Sequence, residues 1–312
     1  MTTNNNSKKQ SSVSTPTLVV LTIVVIPLMG YVLHQLGILS SAPPPPPDFG
    51  SGSMFDQIAT RYDMINRVLA LRMDVGWRKQ MTGLLRDRLL STTTTGESDP
   101  EETTATMPLR IVDLATGTAD VALQLARDIS TATIVGIDPS NNMLNVGRDK
   151  IAMQELSHRI TLHHGDARQL SNWESNSFDG ATMAFGIRNV PERDIALCEI
   201  HRLLKPNGRL AILEFSEPDD SHGILGRLAR LFIRYLVPIM GGVLSGAPRE
   251  YAHLQNSIQD FPTPSEFRQL LQTLPCGGFD MEDVIHMNFG SVQLYSGRAM
   301  KASPLSSSES NE

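Results

Sequence analysis

The chain has 312 residues, 40% of them apolar, with 27 Lys and Arg against 33 Asp and Glu for a formal charge of −6. That size allows one catalytic domain with a substantial core, and the acidic balance excludes a nucleic-acid partner held by phosphate contacts. Cys198 and Cys276 are the only cysteines; without C-x-x-C or zinc spacing they read as free thiols, in keeping with a reducing compartment.

Residues 1–16 form a Ser/Asn-rich lead with Lys8 and Lys9, expected to be disordered. Thr17 to Leu39 is apolar and uncharged, long enough to cross a bilayer as a helix. It reads as a signal anchor, or as a leader cleaved near Ser40-Ser41-Ala42, with the lysines favouring a cytosolic or matrix-side N-terminus. Residues 40–53 are a linker, the stiff Pro43–Pro47 run followed by the flexible Gly50-Ser51-Gly52-Ser53. The folded domain is expected over 54–300 and a disordered tail over 301–312. Ile58, Tyr62, Ile65 and Leu69 recur at helical spacing, which places two helices between Met54 and Leu90. The Thr- and acid-rich residues 91–107 read as a disordered surface insertion.

From Arg110 short apolar runs alternate with helical segments, the pattern of an α/β, Rossmann-like, doubly wound sheet. Strands are expected near Arg110–Leu114, Thr133–Ile137, Ile160–His163, Asp179–Ala184 and Arg209–Phe215. A helix over Pro191–Leu204 stops at the Lys205-Pro206-Asn207-Gly208 turn. Met281–Asn288 and Ser291–Ala299 read as a closing antiparallel hairpin. Ile224 to Leu244 carries too many arginines for a membrane span and reads as an amphipathic cover, packed on the core or forming a wall for an apolar ligand.

The densest signal is Leu109 to Asp138. An apolar strand runs into Asp113-Leu114-Ala115-Thr116-Gly117-Thr118-Ala119-Asp120, and a second strand ends at Asp138, about where nucleotide-binding βαβ units place a ribose-binding acid. G-x-G-x-x-G is missing, so a ligand with a ribose and no pyrophosphate, such as S-adenosylmethionine, fits better than a dinucleotide.

Four segments then carry a resemblance: Met54-Phe55-Asp56-Gln57-Ile58-Ala59-Thr60-Arg61-Tyr62-Asp63-Met64-Ile65-Asn66 with Gly76-Trp77-Arg78; the turn Asp113 to Asp120; Phe185-Gly186-Ile187-Arg188-Asn189-Val190; and Leu204-Lys205-Pro206 to Leu213-Glu214-Phe215-Ser216. In order and spacing they resemble the ubiquinone/menaquinone biosynthesis C-methyltransferases, over about Met54 to Met300. The resemblance implies a class I methyltransferase fold, S-adenosylmethionine as cofactor and C-methylation of a polyprenylated quinol, of the methoxy-polyprenyl-benzoquinol or demethylmenaquinol type. Ala119 stands where the family usually has the last glycine of G-T-G-D, a methyl that is tolerable unless the position needs positive φ, so somewhat altered cofactor affinity is expected. Ala70, Asp74 and Ala184 replace the family's usual Ser, His and Ser. The Ala-Thr-Gly-Thr turn and the run Met73 to Arg78 look more like the menaquinone-making branch.

The expected cofactor residues are Asp113, Gly117, Thr118, Asp138, Asp166, Ala167 and Ala184. Asp113 would face the ammonium or sulfonium side, with helix capping as the alternative. Asp138 would accept the ribose hydroxyls, the alternative being an ordinary turn acid. Asp166 and Ala167 would meet the adenine edge, or form a plain Gly-Asp turn. Arg188 would stabilise the oxyanion of the ring or orient a water, with Asn189 on the ring oxygen; a surface ion pair is the alternative. Tyr62, one turn from Asn66, would cover the site as a lid or simply pack on the sheet. No metal is assigned, since His163, His164 and His201 lack ligand partners. Expected partners are the quinol and a membrane, with a homodimer or other quinone-synthesis enzymes as further possibilities; the mitochondrial inner membrane is favoured, a plastid membrane second. The alternative functions are another small-molecule methyltransferase of this fold, or a non-catalytic subunit of a quinone-synthesis complex.

Overall fold

The computed structural model describes residues 52–56, 59–93, 108–218, 223–237, 240 and 256–300. The Thr17–Leu39 segment, most of the linker and of the insertion, and the tail lie outside them, and among the described residues no helix is long and apolar enough to cross a membrane. Among the described residues three helices precede the sheet, where two were expected between Met54 and Leu90: α1 (Ser53–Asp56), α2 (Ala59–Leu69) and α3 (Met73–Thr93). The first is one turn long, too short to leave a periodic signal.

The sheet follows the apolar runs. β1 (Arg110–Leu114), α4 (Asp120–Asp128), β2 (Thr133–Asp138), α5 (Asn141–Met153), β3 (Ile160–His164), β4 (Phe178–Ala184), α6 (Arg193–Leu203) and β5 (Leu204–Phe215) alternate along the chain. Then come α7 (Gly223–Leu231), a π-helical turn Phe232–Leu236, α8 (Pro264–Gln272) and the hairpin β6 (Phe279–Met287) and β7 (Val292–Ala299). The seven strands lie in the order β3-β2-β1-β4-β5-β7-β6. β1 to β5 pair in parallel, and β7 inserts antiparallel between β5 and β6. β1 is buried after its first residue because helices cover both faces. α6, α8 and the hairpin enclose one core around Leu197, Phe267 and Tyr295; α3 and α4 enclose the other around Leu85, Leu125 and Leu213.

Three details differ from expectation. The sixth helix starts after Glu192, so Pro191 precedes the helix rather than opening it. The Lys205–Gly208 turn is absorbed into β5, where Asn207 takes φ 61° and the register with β4 shifts. Cys198 and Cys276 are not free thiols: they form a disulfide with Cα atoms 5.6 Å apart, joining α6 to the turn before β6. Burial of both side chains against one core cluster brings together cysteines 78 positions apart, which no local spacing could reveal, and removes the basis for reading a reducing compartment. Closing so long a loop restricts the unfolded chain, so reduction or Cys276→Ser is expected to lower unfolding stability by roughly 2–4 kcal/mol. Denaturant melts with and without reductant measure this, and equal midpoints would refute it.

Candidate active site

β1 has β2 on one side and β4 on the other, so the chain crosses over on both flanks and leaves a crevice at their carboxyl ends. The loops there form a first chamber, of about 880 Å³. Its walls come from the end of every neighbouring strand: Ala115 and Gly117 after β1, Asp138 and Pro139 at β2, Gly165 to Arg168 after β3, and Met183 to Gly186 at β4.

Backbone geometry shapes this edge. Ala115, Gly117 and Ala119 take φ of 50°, 54° and 65°, and Phe185 takes 59°. Left-handed non-glycine residues cost roughly 1–2 kcal/mol each, so the tips of β1 and β4 are held where isolated chains would not go. Asp113 does much of the holding. Fully buried, it accepts hydrogen bonds from Thr116 Oγ1 at 2.6 Å and Thr182 Oγ1 at 2.7 Å, tying the turn to β4. It lines neither chamber. The structure gives it a positioning contact between the turn and β4, and it is not the helix cap that the sequence offered as an alternative: Ala119 is the N-cap of α4 and no side chain caps it. Burial pushes the Asp113 carboxyl up from 3.8 to about 6 against the lowering effect of the two threonines.

Thr118 also faces away. Its hydroxyl donates to Asp63 at 2.7 Å and accepts from Lys150 at 3.2 Å. Lys150 bonds Asp63 and Asp120 in turn, and Arg67 bonds Asp120, so this network clamps α2 onto the turn. α1 is fixed similarly, Asp56 accepting from Ser140 Oγ at 2.5 Å and from the Asn142 amide at 3.1 Å. Gly52, read as flexible linker, is buried at the chamber wall with φ 82°, where a Cβ would meet the Pro139 backbone at 2.8 Å.

Asp138, Gly117, Asp166, Ala167 and Ala184 do line the first chamber. Asp138 receives the Gly117 and Ser140 amides, both at 2.8 Å and one on each oxygen, which leaves acceptor capacity for a vicinal diol. Burial raises its carboxyl from 3.8 to about 6, although both amides favour the charge. Asp166 is also partly desolvated, but the Arg168 guanidinium and amide outweigh this and hold it below its usual range. One acid with free acceptor capacity for a ribose, a second with an adjacent backbone for an adenine edge, and an unobstructed Gly117 fit S-adenosylmethionine.

A second chamber, of about 1090 Å³, adjoins the first, and Phe55, Tyr62, Phe185 and Asn189 line both. Beyond that shared wall it is lined by Trp77, Phe215, Phe232, Ile233 and Val237, with Asn66, Asp74, Arg78, Arg188, Asn288 and Ser291 as polar members. The arginine-rich segment after β5 thus supplies both wall and cover. Arg188 is 5% exposed, so its ion pair is buried rather than superficial: Nη1 donates to Glu214 Oε1 at 2.6 Å and to the Phe185 carbonyl at 2.7 Å. Its guanidinium stands over the Phe215 ring, while Nε is buried with no internal acceptor. Burial raises the Tyr62 hydroxyl above its ordinary value, against the attraction of Arg188 and Arg78, so it stays protonated at neutral pH. The sequence motifs contained Glu214, Phe55, Trp77 and Arg78 but assigned them no role; only the fold shows that they meet. Among the described residues no group of three or more His, Cys, Asp or Glu could hold a metal.

A doubly wound sheet with an antiparallel β7, a carboxyl-edge chamber walled by Asp138 and Asp166 and an abutting apolar chamber suit an S-adenosylmethionine-dependent methyltransferase. The chain belongs to the ubiE/COQ5 methyltransferase family, whose model matches residues 50–298. It is 38% identical to the ubiquinone/menaquinone biosynthesis C-methyltransferase UbiE of Syntrophotalea carbinolica, over 78% of this chain and 92% of that one. It is 36% identical to a demethylmenaquinone methyltransferase of Deinococcus radiodurans, over 70% and 81%. A putative S-adenosyl-L-methionine-dependent methyltransferase structure from Methanococcus maripaludis shares the fold, with TM-score 0.51 at 13% identity over 80% of this chain and 96% of that one.

Two outcomes follow. A carboxyl raised from 3.8 to about 6 on folding favours the folded state most when protonated. Relative to Asp113→Asn, wild-type stability should therefore be highest below about pH 4 and fall by about 3 kcal/mol as pH rises from there through 6, at about 1.4 kcal/mol per pKa unit. Paired denaturant titrations check this, and parallel pH curves would contradict it. Ala119 does meet the positive-φ condition, but it is buried against α5 and lines neither chamber. In Ala119→Gly, relief of about 1–2 kcal/mol of strain is offset by one lost buried methyl, about 0.8, and by about 0.4–1 of added chain entropy. Stability within about 1 kcal/mol of wild type and unchanged cofactor affinity are expected, by thermal melts and calorimetry.

Proposed function

We propose that this enzyme methylates a ring carbon of a polyprenyl quinol, of the demethylmenaquinol or methoxy-polyprenyl-benzoquinol type, at a membrane surface. The observation that carries the reading is the shared wall of Phe55, Tyr62, Phe185 and Asn189, which sets a nucleoside chamber against an aromatic-lined one holding a buried arginine. The names of the relatives support the substrate class. S-adenosylmethionine supplies an electrophilic methyl group whose carbon–sulfur bond breaks, with the electron pair staying on sulfur.

The chain's residues prepare the other reactant. Asp138 and Asp166 would hold the nucleoside of the bound cofactor in the chamber that shares this wall. Arg188, fixed by Glu214 and with Nε unspent, stabilises negative charge on a ring oxygen once its proton passes to water. That charge makes the neighbouring ring carbon nucleophilic. Asn189 hydrogen-bonds the ring oxygen, and Tyr62 Oη–H, kept protonated by burial, donates rather than acting as base. After the carbon–carbon bond forms, loss of the ring-carbon proton to water restores aromaticity. The apolar walls hold the faces of the ring and receive the start of the tail, leaving the ring oxygen and the proton-accepting water on the polar side beside Arg188 and Asn189. In this reading Thr17–Leu39 anchors the chain, with the mitochondrial inner membrane as the preferred site and the quinol as the principal partner; imaging a tagged full-length chain tests the location.

Full-length enzyme with labelled cofactor and each quinol class is expected to yield ring-methylated product; no transfer to any quinol would refute the reading. Asp138→Ala should weaken S-adenosylhomocysteine binding about tenfold or more, the scale of one lost charge-assisted hydrogen bond. Arg188→Lys should cut turnover at least about 100-fold, with cofactor affinity near wild type. Equal loss of cofactor binding in both variants would contradict the separate roles.

A further inference from the structure

The corner between α2 and α3 carries apolar side chains that the fold does not use. Met64, Val68, Leu71, Met73 and Val75 are all exposed, Met64 at 58% and Leu71 at 68%. Met64 and Val68, one turn apart on α2, face outward together, and Leu71 is exposed just beyond the helix end. Ile65 and Leu69, on the inner side of α2, are buried with Val237 and Met240 packed against them. A surface helix with one core to cover needs only that inner face.

The corner is also built against local preference. α2 ends with the Leu71 amide bonded to the Val68 carbonyl at 3.1 Å and the Arg72 amide bonded to the Arg67 carbonyl at 2.7 Å. This is the bond pair of a Schellman ending, whose left-handed position is ordinarily glycine. Here Leu71 and Arg72 take φ of 50° and 62°. A leucine in that conformation is sterically disfavoured, and it recovers nothing by burial.

Position and charge indicate what the corner meets. Leu71 and Met73 are exposed and also line the second chamber, so they stand at its mouth. The corner's two acids are neutralised internally, Asp63 by Lys150 and Asp74 by Arg78. Arg61, Arg72 and Lys79 remain exposed around the apolar tip, a local positive charge on a chain whose formal charge is −6. An apolar tip edged by cations of one sign suits an interface of acyl chains and acidic headgroups more than the mixed polar rim of a protein contact.

We propose that this corner docks on an anionic lipid bilayer, with the apolar tip in the headgroup–acyl boundary, so that a lipid-dissolved substrate reaches the chamber mouth without crossing water. The proposal rests on the quinol reading above and adds the surface by which the enzyme reaches it.

Full-length protein with Met64→Cys carries an environment-sensitive fluorophore in one sample, and Met153→Cys, at the end of α5 and 77% exposed, carries it in the other. Both are titrated with phosphatidylcholine vesicles, with and without about one-third phosphatidylglycerol. The Met64 probe should shift to the blue and be quenched by lipid-borne quenchers, with partitioning at least about tenfold stronger on the anionic vesicles. The Met153 probe should not change. Tethering by another part of the chain brings both probes to the surface but buries neither selectively, so identical responses would overturn the proposal. A Met64 shift that depends on protein concentration without lipid would assign the corner to a second copy and overturn it as well.

Met64→Ser with Val68→Ser should raise the KM for a vesicle-embedded quinol several-fold and leave turnover of a tail-less soluble quinol unchanged; equal effects on both substrates would refute docking. Lipid burial of the Met64 probe in an enzyme that methylates no quinol would overturn the substrate reading and still support the docking surface.

Discussion

The buried carboxylate of Asp113 is the constraint from which the active-site edge is built. Two threonine hydroxyls, one from the turn after β1 and one from β4, converge on it and fix how far the crevice opens. A charge with no solvent and only hydroxyl partners is costly to bury. The turn it organises holds Ala115, Gly117 and Ala119 left-handed, and the Gly117 amide is thereby presented to Asp138. The geometry of the first chamber thus depends on a residue that lines neither chamber.

A second layer sits on that edge. α1 and α2 precede the sheet in sequence yet roof its crevice, because Asp56 engages the start of α5 and Asp63 joins Thr118, Lys150 and Asp120. These helices carry Phe55, Tyr62 and Asn66 into the walls. Arg188 comes from below, after β4, with its charge matched by Glu214 on β5. A buried pair of this kind adds little net stability, but it holds the guanidinium in one place, with Nε unspent.

Much of the fold was legible in the sequence because parallel strands buried on both faces appear as continuous apolar runs; all five parallel strands and the hairpin fall within a few residues of their expected places. The candidate site was legible in part. Asp138, Asp166, Ala167 and Arg188 lie at strand ends, where local position fixes which way a residue can face. Asp113 and Thr118 were read as cofactor contacts because type and place suited it, yet the partners that claim them, Thr182, Asp63 and Lys150, lie far along the chain. The disulfide and the Arg188–Glu214 pair were hidden for the same reason. Ala119 shows the converse: the sequence raised the correct condition, positive φ, and the structure places its effect behind the chamber in the packing of α4 on α5.

The shared partition has a consequence for how the two ligands behave together. When Phe55, Tyr62, Phe185 and Asn189 wall both chambers, neither occupant meets an environment independent of the other. Ordering those side chains for one ligand lowers the entropic cost of receiving the second, and linkage makes the gain equal in both directions. In the proposed reading donor and acceptor are therefore thermodynamically coupled, and sequence drift that retunes acceptor choice at this partition also retunes donor affinity.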